Sequence, residues 1–257
     1  MRSRRLLLRR EPLYRLLCTL AAALTLGALC ATPASAEFGL SDMSVRFLEA
    51  DGSEATQAGS HPFEMRTFFS VNTTINEKSI EVIDGAIRNL EIILPAGFVG
   101  NPTAVPPCET IDFLSSGEGC ADSTALGVLT VEIGGGLGTP GKETVPVYNL
   151  RPSPGSAAKL GFEVAELPQT VDVVASQAHP YNVTAKLSNT PQITEVISGE
   201  TVLWGNPADP IHDSKRGRCQ ITPAADTCPA NIPIKPFLTL PRTCSAPLST
   251  TFRALSW

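Results

Sequence analysis

In "FEMRTFFSV" (63–71) the residues at every second position, Phe63, Met65, Thr67, Phe69 and Val71, fall on one side of an extended chain. A two-residue period is the mark of a strand that buries one face, and it recurs along this chain. It is seen in "MSVRFL" (43–48), "IRNLEIIL" (87–94), "LGVLTVEIG" (126–134), "VPVYNL" (145–150) and "KLGFEVAE" (159–166). It continues in "TVDVVAS" (170–176), "YNVTAKLS" (181–188), "KPFLTL" (235–240) and "TTFRALSW" (250–257). "ITEVISGETVLWG" (193–205) reads as one bent strand or two, with Gly199 at a bulge or bend. No long amphipathic helix is visible. The 22 prolines and 20 glycines are spread between these segments, so they end short elements and do not build a low-complexity tract. The pattern predicts an all-β fold: an antiparallel β-sandwich with Pro/Gly-rich loops and one short helix near 109–114, in "ETIDFL". A single sandwich over residues 37–257 is the first reading. Two immunoglobulin-like halves meeting near 135–145 is the second. Asp84-Gly85 reads as a tight turn and "IGGGLGTPGKE" (133–143) as a hairpin tip.

Residues 1–36 stand apart from this pattern. A basic start with six arginines and one glutamate is followed by the apolar "LLCTLAAALTLGALCA" and by small residues ending at Ala36. This is the layout of a secretory signal peptide cut before Glu37. The apolar run is short for a membrane span, and "SRRLLLR" (3–9) also resembles a twin-arginine export signal. Without this leader the formal charge moves from −5 to −10. Clustered Lys and Arg for phosphate binding occur only in "DSKRGR" (213–218), so neither nucleic acid nor an anionic membrane is an expected partner. The expected location is outside the cytoplasm, as a secreted, soluble protein.

That location decides how the cysteines are read. Five remain after the leader: Cys108, Cys120, Cys219, Cys228 and Cys244. In an oxidising compartment cysteines at short loop spacing are disulfide candidates first. Cys108 and Cys120 enclose a Ser/Gly-bearing loop and are expected to pair. No C-x2-C pair with histidine partners suggests zinc, and no neighbouring base suggests a nucleophile. Either Cys219 pairs with Cys228 and Cys244 is left over, or Cys244 takes one of them. The odd cysteine and the strand-like ending "TTFRALSW" both suggest a chain that continues, or that leans on another chain.

Several stretches taken together resemble a known group: "AEFGLSDMSVRF", "DGSEATQAGSHPFEM", "LPAGFVGNPTAVPPCETIDF", "PVYNL", "LWGNPADPIHD" and "PFLTLPRTCSAPL". They are similar to the N-terminal region of large, uncharacterised secreted proteins of high-GC actinobacteria. The resemblance implies a secreted protein of several β-domains with more chain downstream. It supplies no catalytic residue.

The densest polar cluster is "WGNPADPIHDSKRG" (204–217), where Asp209, His212 and Asp213 could bind a divalent cation or act as acid and base. No calcium-loop or H-E-x-x-H pattern accompanies them, so a Pro-braced connector is the expected role and neither metal nor cofactor is expected. Glu163, Glu166 and Asp172 alternate with apolar residues and are expected to face water rather than form a glycosidase pair. "GSH" (59–61) and His179-Pro180 read as turns before strands, and no G-x-S-x-G elbow is present. "GGGLG" (134–138) does not lead into a helix and is not a phosphate loop. Asn72-Thr73-Thr74 and Asn182-Val183-Thr184 match the glycosylation sequon, a match without meaning in most bacteria. Trp204, Tyr148 and Tyr181 are the candidates for a sugar-stacking platform, with a core role expected for Trp204. The composite expectation is a non-enzymatic module with a structural or adhesive role at or near the cell surface. A cell-surface glycan or further domains of a longer chain are its partners. A carbohydrate-binding module and a divergent extracellular hydrolase are the alternatives.

Overall fold

The computed structural model describes residues 38–115, 119–134, 141–222, 227–243 and 247–257. The expected leader, Cys244 and most of the glycine run at 134–138 lie outside the described residues. In chain order the strands are β1 (Leu40–Leu48), β2 (Glu64–Val71), β3 (Thr73–Ile75), β4 (Glu81–Ile83), β5 (Ile87–Ile93), β6 (Val99–Gly100) and β7 (Ala125–Ile133). They continue with β8 (Gly141–Leu150), β9 (Ala158–Val164), β10 (Leu167–Ala175), β11 (Val183–Ser188), β12 (Val196–Trp204), β13 (Leu238–Thr239) and β14 (Thr251–Ser256). Two short helices, α1 (Thr110–Leu114) and α2 (Arg218–Ile221), lie in the loops.

Ten strands form one antiparallel sheet in the order β1-β2-β12-β7-β8-β9-β10-β11-β5-β14. The all-β antiparallel class and the short helix at 110–114 are thus as the alternation predicts. The sheet curls into a nearly barrel-shaped body. Its inward side chains meet in one cluster that includes Met65, Leu129, Val131, Val145, Val147, Leu160, Val164 and Leu203. The opposed layers that period-two strands require are therefore walls of one continuous sheet. The ends of that sheet approach through side chains: Phe38 and Leu40 at one end share a cluster with Ile87, Leu90, Phe252 and Ala254 at the other. Among the described residues no strand pairs with the outer edge of β1 or of β14.

The sheet does not divide at 135–145. β7 and β8, which flank that point, pair with each other, and β12 inserts between β2 and β7. Three local expectations also change. The irregularity in β12 falls between Val196 and Ser198, and Gly199 instead lets the Phe69 ring approach to within 2.8 Å of where a Cβ would stand. Asp84-Gly85 is a bend between β4 and β5, which do not pair. The stretch 235–240 keeps only two strand residues, because its backbone bonds go to separate partners. Phe237 donates to Gly205, accepts from Asn101, and Leu240 donates to Ser60.

β7, β8 and β12 are covered on both sides. Ala125, Val128, Tyr148, Leu150 and Trp204 face outward from them, yet all are buried in a second cluster with Phe113 of α1 and with Cys108 and Cys120. This explains why β7 and β8 read as nearly continuous apolar runs. What covers the outer face is loop, and a loop needs anchors.

Candidate functional site

Cys108 and Cys120 form a disulfide, and so do Cys219 and Cys228. The first closes a loop of sequence separation 12 over the outer face of β7 and β8. Cys108 also joins the end of β8 by backbone: it donates to Asn149 and accepts from Arg151. Beside it the Arg151 guanidinium meets Glu109, and this contact holds the Glu109 carboxyl below its usual range. Buried Asn149 donates to the carbonyls of Pro102 and Val105, which fixes the approach to the loop. Asp122, just past Cys120, accepts from the backbone and guanidinium of Arg218, just before Cys219. That single carboxylate therefore links the two disulfide loops. Replacing Cys108 and Cys120 together by alanine is expected to lower stability by roughly 2–4 kcal/mol, the entropy released to the unfolded chain. Urea unfolding of the oxidised wild type and the double variant measures it.

The Asp209/His212/Asp213 cluster lies on a 3₁₀ turn, Pro210–Lys215, in the same layer. The structure brings these residues onto one turn and buries His212, with Asp209 and Asp213 partly exposed beside it. Asp209 caps the turn by accepting from the Ile211 amide. His212 is 5% exposed and its ring lies flat on Trp204, with centroids 4.4 Å apart and planes within 9°. Asp213 pairs with Arg216, whose side chain is wholly buried. The Arg216 fork also donates to the carbonyls of Cys228, Pro207 and Asp209. A sequence reader sees Arg216 inside "DSKRGR" and takes it for a surface charge. Its partners all lie within twelve residues, but three of them are backbone carbonyls, which no residue type announces. Among the described residues no group of three or more His, Cys, Asp or Glu is arranged to hold a metal ion.

Burial, helped by the Arg216 charge, depresses the His212 pKa to about 4. The imidazole is therefore neutral in the folded protein wherever the unfolded chain would leave it half charged. Stability contributed by the neutral ring is complete above the unfolded value near 6.5 and is lost as pH falls toward 4. The shift corresponds to about 3 kcal/mol. Unfolding free energies measured from pH 7 to pH 4 are expected to fall by this order in the wild type. His212→Phe, which keeps the stacking on Trp204, is expected to flatten that part of the profile.

The other residues singled out by sequence are dispersed. Asp172 pairs with Lys159 across β9 and β10, and Glu163 and Glu166 belong to the same hairpin. His61 lies with Nδ1 2.9 Å from the Leu238 carbonyl oxygen, which joins a turn to β13. The Asn182 amide donates to Leu94 rather than projecting outward. Of the three aromatic candidates, Trp204 is 2% exposed, Tyr148 is buried with its hydroxyl pKa pushed up to about 12, and only Tyr181 is exposed. Burial is the leading cause at Tyr148. Trp257 is half exposed, but the Arg88 guanidinium lies 4.9 Å from its ring centroid.

A second location has no counterpart in the sequence reading. The barrel interior holds a cavity of about 110 Å³ with a mainly apolar surface, lined among others by Phe69, Leu90, Leu129, Val164, Val171 and Leu187, with Thr67, Thr201 and Gln169 also on its walls. These come from seven different strands. One side is closed by the β11–β12 connection, which contributes Thr190, Pro191 and Thr194. Among the described residues no helix is long and apolar enough to cross a membrane. Compared with known proteins, the chain matches no family model, no curated protein and no solved structure.

Proposed function

We propose that this chain is a secreted, non-enzymatic β-module with a structural or adhesive role at or near the bacterial cell surface. The observation that carries the reading is where its polar groups go. In the cluster best suited to chemistry, His212 and Arg216 are buried, Asp209 caps its own turn, Asp213 pairs with Arg216, and Arg216 holds three carbonyls of a loop layer. Two disulfides pin that same layer, a device suited to an oxidising compartment. A hydrolase built on this cluster would need His212 open to solvent and near neutral pKa, and its burial opposes both. A sugar platform would need exposed aromatic faces, and only Tyr181 among the three candidates supplies one. Association is served instead by the outer edge of β14 and by the first part of β1; at the end of β1 Phe47 already accepts from Ala55 and Leu48 bridges Glu54.

The test is fractionation of a high-GC actinobacterium expressing the chain, with peptide mapping after capping free thiols. The expected result is protein in the surface wash or culture fluid, starting at Glu37, with both disulfides intact. Protein confined to the cytoplasm with free thiols overturns the reading. Retention on insoluble polysaccharide would transfer it to the carbohydrate-binding class. Metal-dependent hydrolysis lost in His212→Ala would transfer it to the hydrolases.

A further inference from the structure

Thr190 is 8% exposed, lines the barrel cavity, and carries a buried Oγ1 with no hydrogen-bond partner among the described residues. A buried hydroxyl without a partner is uncommon in folded proteins and calls for an explanation. Its neighbours on the same wall are satisfied: the Thr194 hydroxyl donates to the Pro191 carbonyl and the Gln169 amide to that of Pro168. Water is a poor occupant for this space. A buried water needs two to four polar partners, and cavities lined by aliphatic and aromatic carbon stay dry and take apolar guests. Four threonines and Gln169 lie among the lining residues, and of these Thr190 carries the buried hydroxyl without a partner among the described residues, which matches a different occupant.

We propose that the barrel interior is a binding site for a small, mainly apolar molecule carrying one hydroxyl or carbonyl oxygen, which Thr190 holds by a hydrogen bond. The apolar walls supply the attraction, and Thr190 sets which end of the guest enters first. The space is somewhat smaller than the apolar cavity of about 150 Å³ that accommodates benzene, which limits the guest to at most a single ring or a short branched chain. Thr190 is itself held from outside. Its backbone donates to the Arg88 carbonyl and accepts from Trp257 Nε1. The β11–β12 connection bends through left-handed residues at both ends, Asn189 (φ 56°) and Glu195 (φ 38°). Thr190 is therefore carried by a short braced segment at the wall of the chamber.

The probes are benzyl alcohol and toluene, which share a ring and differ by the hydroxyl. Binding to the oxidised full chain is followed by NMR chemical-shift titration and by thermal unfolding. Benzyl alcohol is expected to bind saturably, to raise Tm, and to shift the resonances of Thr190, Ala185 and Leu129. Thr190→Val, close in shape and relieved of an unpartnered hydroxyl, is expected to weaken benzyl alcohol about tenfold and to leave toluene unchanged or tighter. Thr190→Ser should keep the preference for the alcohol. Ala185→Leu, which fills the chamber, is expected to abolish both probes while Tm holds or rises. The proposal is overturned if neither probe binds saturably, if toluene binds and benzyl alcohol does not, if Thr190→Val affects the two alike, or if binding survives Ala185→Leu.

Discussion

Arg216→Met is expected to destabilise the protein by about 3–5 kcal/mol, the range for removing one partner of a buried charge pair. Methionine matches the length of the stem but removes the fork. Four acceptors then lose their donors at once: the Asp213 carboxylate and the carbonyls of Pro207, Asp209 and Cys228. The side chain has no exposed surface, so water cannot replace it without opening the layer. Arg216→Lys keeps the charge and is still expected to lose much of the stability, because an ammonium cannot reach several carbonyls in one plane. Urea unfolding gives the magnitude. Limited proteolysis near Cys228 tells whether the loop loosens before the barrel does. A loss below 1 kcal/mol in Arg216→Met would mean that the disulfide alone carries the layer.

Gly205→Ala is expected to be of similar or greater severity, to the point of failed folding. A Cβ at this position would stand 1.8 Å from the Pro62 carbonyl oxygen and 2.8 Å from that of Phe63. Both obstacles are backbone, so no side-chain rotation relieves them. The same glycine donates to Phe63 and accepts from Phe237, and so ties the end of β12 to the start of β2 and to the segment that carries β13. Displacing it would break these bonds as well as the packing. Soluble yield and Tm of Gly205→Ala, set beside the surface control Gly52→Ala, make the comparison. Gly52 has open space around it and φ 82°, so it should show only the modest strain of a left-handed alanine.

Both positions lie in or beside the stretch that the sequence marks as its richest in polar residues. The marking was sound, but the role was legible only in part. The stretch reads as a Pro-braced connector, and within it Asp209 caps the turn that Pro210 begins. That His212 would lie flat on Trp204, eight residues earlier, could not be read, because the contact depends on how the chain turns at Gly205. Arg216 was hidden for a different reason. Its acceptors are backbone carbonyls, which every residue carries, so they leave no trace in residue type. The thin covering layer is also why the helix at 110–114 could be read and α2 could not. The first contains a short apolar helical pattern, whereas Arg218–Ile221 is a single turn held by Asp122.

The alternation of side chains along each strand follows from the sequence alone, since period two is a property of extended backbone. The pairing of Cys108 with Cys120 belongs to the same class, because it needs only a short loop to close. The order of the strands did not follow. β12 lies between β2 and β7, and β11 between β10 and β5, by contacts between residues far apart in the chain. Many strands of similar period could exchange places at the level of pattern. The choice among them is made by how ten side-chain rows fit one curled interior, which is a property of the assembled barrel. The same holds for the chamber within it: Thr190 is an ordinary turn residue in "SNTPQIT", and only the assembly of seven strands around the chamber leaves its hydroxyl buried without a partner among the described residues.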